Sequence, residues 1–400
     1  MAGIGSGALA AGSGFADAGV TGGAASAPDG AVVGGSDAAL DVDDDASVGD
    51  TDPFRTPRWK PLDTHGSPLT AAQGTWTYTE FADTQCRDGS PAGLYVSAGS
   101  VDKLMIFLEG GGRCAEAQSC AISPASVAAG SVIRAASSSG VLDRTRRDNP
   151  VRDWSFVYVP YCTGDRHGGA NPDGDIPGVG PQKFVGYLNM QRFLDRIVPT
   201  FPRVSDVLLT GISAGGFGVA YNSVLVQRAF PALKVKIVID SAPFVTTAVF
   251  TPCDQRQTRQ FYRAEQTFLG DCGTACPNHD DYWMDYGVFL ARAFSDRPLG
   301  LISSTADVVE RGLFGIGSDD CNGNLDLLNP SLPAATFRAD ILAYRAKLSS
   351  FPNAATFYPD TDTHSFLVFD EFYTATAGGV RLLDWFTKIV SGESPGHAGP

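Results

Sequence analysis

A serine between a predicted strand and a predicted helix is the strongest candidate for chemistry in this sequence. Ser213 lies in Gly211-Ile-Ser-Ala-Gly215, which fits the pattern G-x-S-x-G. The apolar run 207–209 predicts a buried strand before it, and the amphipathic stretch 217–230 predicts a helix after it. In such a tight turn the flanking glycines leave room for an exposed hydroxyl. The pattern therefore predicts a nucleophilic serine; the alternative is a structural serine in an ordinary glycine-rich turn.

A serine nucleophile needs a base that removes its proton, most often a histidine oriented by a carboxylate. The chain has five histidines, of which His279, His364 and His397 follow Ser213. In the α/β-hydrolase arrangement the acid and then the histidine follow the nucleophile along the chain. His364 lies in a polar loop between the last predicted strand and the last predicted helix, so we predict that it is the base. A surface histidine is the alternative.

Two aspartates at predicted strand ends are candidates for the acid. Asp307 follows the predicted strand 299–303, where the acid of an α/β-hydrolase usually lies. Asp240 ends the preceding predicted strand, 235–239, and is the alternative acid. Without a catalytic role, Asp240 would be a carboxylate that caps a loop or a helix end. We predict Asp307 as the acid and keep Asp240 open.

A run of three glycines provides candidate donors for an oxyanion. Gly110, Gly111 and Gly112 directly follow the predicted strand 103–108. A tetrahedral intermediate needs amides aimed at its oxygen, and glycines let the backbone come close enough to supply them. The amide of Ala214, next to the candidate nucleophile, would add another donor.

Strands that alternate with helices predict an α/β fold with a mainly parallel central sheet and helices on both faces. Candidate residues should then meet at the carboxyl ends of the strands. The segments 75–81 and 94–98 predict a hairpin at the sheet edge. Residues 164–180 are predicted to form a glycine-rich loop, and residues 181–201 a helix.

The domain organisation follows from changes in composition. Residues 1–52 are rich in Gly, Ala and Asp and predict a disordered spacer. Residues 53–391 predict one catalytic domain, in which about 244–297 form a cysteine-containing insertion or cap. Residues 392–400 predict a loose tail.

The charge distribution excludes several classes of partner. The net charge is −14, and nine Asp precede the first basic residue, Arg55. Neither the acidic first segment nor the rest has the basic surface of a nucleic-acid binder. No run of 18 apolar residues predicts a membrane span. No signal peptide is visible, although the composition suits a secreted, cell-surface or periplasmic protein whose signal or anchor is not in this sequence.

Eight cysteines with no clear zinc-binding pattern predict disulfides and an oxidising compartment. The alternative is a metal site formed by Cys272, Cys276 and His279, but their spacing has no second matching pair. We predict no metal and no cofactor. The cysteines are Cys86, Cys114, Cys120, Cys162, Cys253, Cys272, Cys276 and Cys321.

Four segments resemble one known family, the pectinacetylesterase/Notum family of serine esterases. They are Cys86-Arg-Asp-Gly-Ser-Pro-Ala-Gly93, Phe107-Leu-Glu-Gly-Gly-Gly-Arg-Cys114, Val159-Pro-Tyr-Cys162 and Gly211-Ile-Ser-Ala-Gly-Gly216. The resemblance extends from about residue 86 to residue 364 and is strongest before residue 243. It implies an α/β-hydrolase fold and ester hydrolysis without a cofactor. It maps the site onto Ser213, Asp307 and His364, with oxyanion amides from Gly111, Gly112 and Ala214.

The resemblance also implies two disulfides, Cys86–Cys162 and Cys114–Cys120. The remaining four cysteines allow three pairings, of which Cys272–Cys276 with Cys253–Cys321 is our working assignment.

The chain departs from the family at Arg113, where many members have an aromatic residue, and it matches weakly over 244–348. We therefore predict a secreted serine esterase that deacetylates a polysaccharide or hydrolyses another ester, in an unknown oligomeric state. The alternatives are a lipase-like or polyester-degrading esterase, or an inactive binding module.

Overall fold

A computed structural model describes residues 59–127, 137–278 and 280–400. The predicted spacer 1–52 and His279 lie outside these residues. The strands are β1 Thr77–Phe81, β2 Ala92–Ser97, β3 Lys103–Leu108, β4 Ser155–Val159, β5 Asn171–Ile176, β6 Gly180–Phe184, β7 Asp206–Ile212, β8 Lys236–Asp240, β9 Leu299–Ile302, β10 Ala354–Phe357, β11 Thr376–Ala377 and β12 Val380–Arg381. The α-helices are α1 Ala117–Ile122, α2 Gly186–Thr200, α3 Ala214–Ala229, α4 Pro252–Tyr262, α5 Phe268–Cys272, α6 Trp283–Ala293, α7 Val308–Gly315, α8 Ser318–Cys321, α9 Ala334–Leu348, α10 Glu371–Thr374 and α11 Leu382–Ser391.

The central sheet has, within the described ranges, eight strands in the order β1-β2-β4-β3-β7-β8-β9-β10. The neighbours from β4 to β10 pair in parallel, whereas β1 pairs with β2 and β2 with β4 in antiparallel fashion. The predicted edge hairpin is therefore present as β1 and β2. The carboxyl ends of β3, β7, β8 and β9 lie side by side, and the candidate residues follow the strands on this side of the sheet.

Alternating side chains cover the two faces of the sheet. In β3, Leu104, Ile106 and Leu108 belong to the hydrophobic core that includes residues of α2, α3 and α6. Met105 and Phe107 point to the other face and join a second core with residues of α11. A parallel strand covered on both faces has to be apolar throughout, which explains the continuous apolar sequence of β3. The predicted mainly parallel sheet with helices on both faces is confirmed.

The glycine-rich stretch predicted as a loop contains a hairpin instead. Strands β5 and β6 pair in antiparallel fashion across Gly178, with an irregular register between Asn171 and Gly174. A side chain at Gly174 would overlap the buried ring of Phe184, with its Cβ only 2.6 Å from Cδ2 of that ring. The helix predicted over 181–201 was wrong at its start, because residues 181–184 belong to β6. Helix α2 begins only at Gly186.

The region 244–297 is helical and packs closely on the rest of the described fold. It contains α4, α5 and α6. The indole ring of Trp283 in α6 lies 4.4 Å from the ring of Phe244 and 5.2 Å from the ring of Phe217. Because Trp283 and Phe244 are both fully buried, this region contributes to the main hydrophobic core.

The segment 392–400 differs from the predicted loose tail. The amide of Tyr358 donates to the carbonyl of Ala398 over 2.9 Å, and the amide of Ala398 donates to the carbonyl of Thr356 over 2.7 Å. This pairing satisfies backbone groups of β10, which would otherwise be exposed at the edge of the sheet. The end of the chain thus covers that edge.

Four disulfides connect the eight cysteines in the pairs named as candidates: Cys86–Cys162, Cys114–Cys120, Cys253–Cys321 and Cys272–Cys276. The alternative metal site at Cys272 and Cys276 is therefore wrong, since both sulfurs are bonded to each other. In the described part of the chain, no helix combines the length and the apolar character needed to cross a membrane.

The disulfides differ in the length of chain they close, and this predicts a difference in stability. Cys86–Cys162 spans 76 residues and Cys272–Cys276 only 4. Replacing Cys86 and Cys162 by Ala should lower the free energy of unfolding by about 4 kcal/mol, and replacing Cys272 and Cys276 by Ala by about 2 kcal/mol, because the longer loop restricts the unfolded chain more. Denaturant unfolding without reductant measures both. All four cysteines are buried, so the two pairs are matched; equal losses would contradict the prediction.

Candidate active site

The candidate nucleophile lies in a strained turn between β7 and α3. Ser213 has φ 54° and ψ −124°, a backbone conformation that residues other than glycine rarely adopt. The turn is held because the amide of Ser213 donates to the carbonyl of Asp240 over 2.8 Å. A Cβ at Gly211 would lie 2.6 Å from the carbonyl oxygen of Leu108, so only glycine fits there. The strand, turn and helix predicted around this serine are present.

The candidate histidine lies in the loop after β10, next to the candidate acid. The Nδ1 atom of His364 lies 3.0 Å from Oδ1 and 2.9 Å from Oδ2 of Asp307. Asp307 is fully buried and precedes α7, where its Oδ1 also accepts the amides of Val309 and Glu310. Because these amides fix the carboxylate, it can hold the imidazole in one orientation.

The charges around His364 change its affinity for a proton. Burial lowers the pKa of His364, but the attraction to Asp307, the hydrogen bond to Asp307 and the charges of Glu310 and Asp240 outweigh burial and raise it to about 9. The imidazolium form is therefore favoured at neutral pH.

Asp240, the alternative acid, uses its carboxylate differently. Its Oδ2 accepts the amides of Phe366 and Leu367 over 2.7 and 2.8 Å. The amide of Ser365 donates to the hydroxyl of the neighbouring Ser241 over 2.9 Å. Asp240 thus binds the backbone that directly follows His364, while its own carbonyl binds the amide of the candidate nucleophile. The structure brings the ring of His364 to Asp307, and it gives Asp240 a role in holding the loop.

The glycine loop lies against the candidate nucleophile. A Cβ built on Gly110 would lie 3.0 Å from Cβ of Ser213, so the loop backbone passes directly beside the serine. Among the residues that the structure describes, no hydrogen bond uses the amides of Gly111, Gly112 or Ala214. These three donors are free to bind an oxygen atom at the site.

Buried side chains that were not predicted as site residues fix this loop. The hydroxyl of Tyr161 donates to the carbonyl of Gly112 over 3.0 Å, and its amide donates to the carboxylate of Glu109 over 2.8 Å. The Nε2 atom of His167 lies 2.9 Å from the carbonyl of Glu109. Burial lowers the pKa of His167 to about 4, so the ring is neutral and its Nε2 donates. Glu109 and Tyr161 belong to the segments that resemble the family, which was the available signal.

Glu310 is a second buried carboxyl group close to the histidine. Its side chain is 1% exposed, and its Oε2 has no hydrogen-bond partner among the described residues. Burial and the charge of Asp307 raise the pKa of Glu310 to about 8, against the opposing charges of His364, Arg166 and Arg113. Sequence reasoning missed Glu310 because nothing in the sequence marks a buried helical glutamate.

In the described ranges, no group of three His, Cys, Asp or Glu side chains could hold a metal ion. The arrangement consists of a serine at a strained turn, a histidine bonded to a buried carboxylate, and a loop of free amides. These are the groups that acyl transfer through a serine requires.

Comparison with known families gives one match over much of the chain. The family model described as "Pectinacetylesterase" matches residues 73–281, which is more than half of the 400 residues. This range includes the glycine loop and Ser213 and ends before Asp307 and His364.

Curated relatives match over a shorter part of their own length. The palmitoleoyl-protein carboxylesterase notum1' of Xenopus laevis is 29% identical over 202 residues, which cover 47% of this chain and 38% of the frog protein. The palmitoleoyl-protein carboxylesterase NOTUM of Mus musculus is 30% identical over 190 residues, which cover 42% of this chain and 35% of the mouse protein. The chain thus spans little more than a third of these relatives.

A solved structure shares the fold. The Wnt deacylase Notum from Drosophila superposes with a TM-score of 0.57 at 22% sequence identity, covering 80% of this chain and 95% of that chain. The similarity confirms the predicted α/β-hydrolase-like fold.

The bond between His364 and Asp307 predicts a titration that can be measured directly. In the Asp307→Asn variant the pKa of His364 should fall well below about 9, because the largest raising influence is removed. NMR titration of the imidazole measures this. Asp360→Asn is a matched control in the same loop, since Asp360 bonds to Thr305 and Arg338 instead.

The raised pKa of His364 also predicts how the free energy of unfolding changes with pH. A histidine with a raised pKa in the folded state stabilises the fold fully below its unfolded value of about 6.5, and this contribution is lost as the pH rises to about 9. Between pH 6.5 and 9 the free energy of unfolding of the wild type should therefore decrease by this contribution. The free energy of unfolding of Asp307→Asn should decrease less over the same range. A pKa of His364 that is unchanged in Asp307→Asn would contradict the assigned contact.

Proposed function

The chain belongs to the pectinacetylesterase family, and from this premise we propose that it is a serine carboxylic-ester hydrolase with Ser213 as nucleophile, His364 as base and Asp307 as acid. The observation that carries the proposal is the bond between His364 and the buried Asp307, in the loops that follow β10 and β9, on the side of the sheet where Ser213 follows β7. Family membership supports the class of reaction, and the free amides beside the serine support the way it would proceed.

The first half of the proposed reaction forms an acyl-enzyme. The hydroxyl oxygen of Ser213 attacks the carbonyl carbon of the ester, and its proton passes to Nε2 of His364. The carbonyl oxygen becomes an oxyanion, which the amides of Gly111, Gly112 and Ala214 bind. The intermediate then collapses: the bond to the alcohol oxygen breaks, and that oxygen takes the proton from Nε2 as the alcohol leaves.

The second half restores the free enzyme. A water molecule gives one proton to Nε2 of His364 and attacks the acyl carbon through its oxygen. When this intermediate collapses, the bond to Ser213 breaks and the serine oxygen takes the proton back, which releases the carboxylic acid. Asp307 stays ionised throughout and stabilises the imidazolium that forms twice in each cycle.

We further propose that the enzyme acts outside the cytoplasm on an acetylated polysaccharide. Four disulfides support an oxidising compartment, where such bonds persist. The family's name supports an acetylated polysaccharide, whereas the names of the curated relatives refer to a palmitoleoyl ester on a protein. A lipase-like esterase is therefore the second candidate, and an inactive binding module is the third.

Turnover and covalent labelling test the proposed nucleophile. The wild type should release acetate from acetylated pectin, and Ser213→Ala should lower this rate by about 10⁴-fold or more, since nucleophile and base act as one unit. A serine-directed phosphonate should add one label to the wild type and none to Ser213→Ala, as measured by intact mass. Ser223→Ala is a suitable control, because that buried serine on α3 bonds only to the carbonyl of Val219 in the described structure. Binding of pectin without labelling or turnover would instead indicate a binding module.

The raised pKa of His364 predicts the pH dependence of the reaction. The base must be neutral to accept a proton, so kcat/KM should rise about tenfold for each pH unit below about 9 and level off above it. Initial rates with a soluble acetate ester between pH 6 and 10 measure this profile. A profile already flat from pH 7 would mean that the environment of His364 does not favour its protonated form in the working enzyme.

A further inference from the structure

Four ionisable side chains are buried together beside the candidate site. We call Arg113, Arg166, Asp254 and Glu310 the buried charge cluster; none of the four is more than 2% exposed. A guanidinium nitrogen of Arg113 contacts a carboxylate oxygen of Asp254, so these two form an ion pair without access to water. None of the four has a step in the proposed mechanism.

One side of the cluster is formed by the segments that carry the oxyanion amides and the nucleophile. Arg113 directly follows Gly112 in the chain. The guanidinium of Arg166 lies 4.1 Å from the ring centre of Phe217. Phe217 belongs to the first turn of α3, where its amide donates to the carbonyl of Ser213 over 3.0 Å. The two arginines therefore lie next to the elements that bind the reacting group.

The other side is formed by the helix that follows the acid. The amide of Glu310 donates to Oδ1 of Asp307 over 2.9 Å. The charges of Arg166 and Arg113 both lower the pKa of the carboxyl group of Glu310. The cluster is thus enclosed by the glycine loop, by α3 and by α7.

The chemistry of the acyl-enzyme decides which part of the substrate faces this cluster. The carbonyl oxygen has to point to the amides of the glycine loop, and the alcohol oxygen has to lie near His364, which protonates it. The acyl chain extends in the remaining direction. Arg113 directly follows Gly112, and the first turn of α3 includes Ala214, so both adjoin amides that are proposed to bind the carbonyl oxygen.

We propose that the Arg113–Asp254 ion pair closes the acyl side of the site and restricts the enzyme to short acyl groups such as acetyl. This inference rests on the proposed ester hydrolysis at Ser213. Aromatic rings fill the space around the cluster: Phe217 and Phe250 are 1% and 0% exposed, and the guanidinium of Arg166 lies within 5.7 Å of the ring centre of Phe250. A long alkyl chain would have to displace these groups.

The charges of the ion pair also oppose the binding of a long acyl chain, in addition to the lack of space. Burial and the charge of Arg166 lower the pKa of Arg113 to about 10, so Arg113 is still charged at neutral pH. The Nε and Nη2 atoms of Arg113 and the Oδ2 atom of Asp254 have no hydrogen-bond partner among the described residues. An alkyl chain at this place would bury itself against unsatisfied charges or separate the pair, and either change is unfavourable.

The test measures kcat/KM for p-nitrophenyl acetate, butyrate and octanoate. For the wild type, kcat/KM should fall at least about tenfold from acetate to butyrate, because each additional methylene has no space. Replacing Arg113 and Asp254 together by Ala removes the pair without leaving one charge alone. In this double variant the ratio of octanoate to acetate turnover should rise at least about tenfold. Arg113→Leu combined with Asp254→Ala leaves more apolar contact for folding and should shift the ratio in the same direction.

A second ion pair provides the matched control. The Nζ atom of Lys236 lies 2.7 Å from Oδ2 of Asp206, and both residues are at the starts of their strands, opposite the candidate site. Lys236→Met combined with Asp206→Leu should leave the ratio of octanoate to acetate turnover unchanged. This control separates a general loss of stability from a change in specificity.

The outcomes distinguish the two proposals. Octanoate turnover by the wild type as fast as acetate turnover would overturn the closure of the acyl side and leave ester hydrolysis intact. A folded double variant with the ratio of the wild type would do the same. Absence of turnover on every ester would contradict the proposed function, and the inference with it.

Discussion

The site depends on one buried residue, Asp240, which fixes the candidate nucleophile and the candidate base relative to each other. Its carbonyl accepts the amide of Ser213, and its carboxylate accepts the amides of Phe366 and Leu367. Both contacts start from the end of β8, a central strand that is buried from Ile237 to Asp240. Serine and histidine come from segments that are about 150 residues apart in the chain. One short and rigid connection therefore sets their spacing, which acyl transfer requires to well within an ångström.

This connection also explains how strained backbone is maintained. Ser213, Ser241 and Ser365 have φ angles of 54°, 53° and 67°, a conformation that costs on the order of 1 kcal/mol or more for residues other than glycine. Each of the three has its amide bonded within the same network: to Asp240, to the carbonyl of Ile302 and to the hydroxyl of Ser241, respectively. The hydrogen bonds offset the strain, and the strained turns bring the three segments close together. A small polar side chain at each position suits both demands.

The sequence could point to a candidate site because strand ends in a parallel sheet meet on one side of the sheet. Ser213, Asp307 and His364 each follow a strand end, and chain order alone suggested their roles. The sequence suggested that Asp240 could cap a loop or a helix end, but it could not identify the amides, because they lie 126 and 127 residues further along the chain. The β5–β6 hairpin was missed because it depends on glycine packing against a buried ring. The pairing of Ala398 with β10 is likewise a long-range contact, and no local sequence pattern predicts it.

The distribution of charge around the site suits a reaction that separates charge. The carboxyl groups of Asp307, Glu310 and Asp240 all favour a proton on His364. Arg113 directly follows the glycine loop, and Arg166 stacks on the first turn of α3. The carboxylate of Asp307 thus lies against the imidazole, and the guanidinium of Arg166 lies against the helix that begins at Ala214. In the proposed reaction positive charge develops on the imidazole and negative charge at the amides. Fixed charges arranged in this sense stabilise the intermediate without any rearrangement of the protein, which is the usual source of the largest catalytic effect.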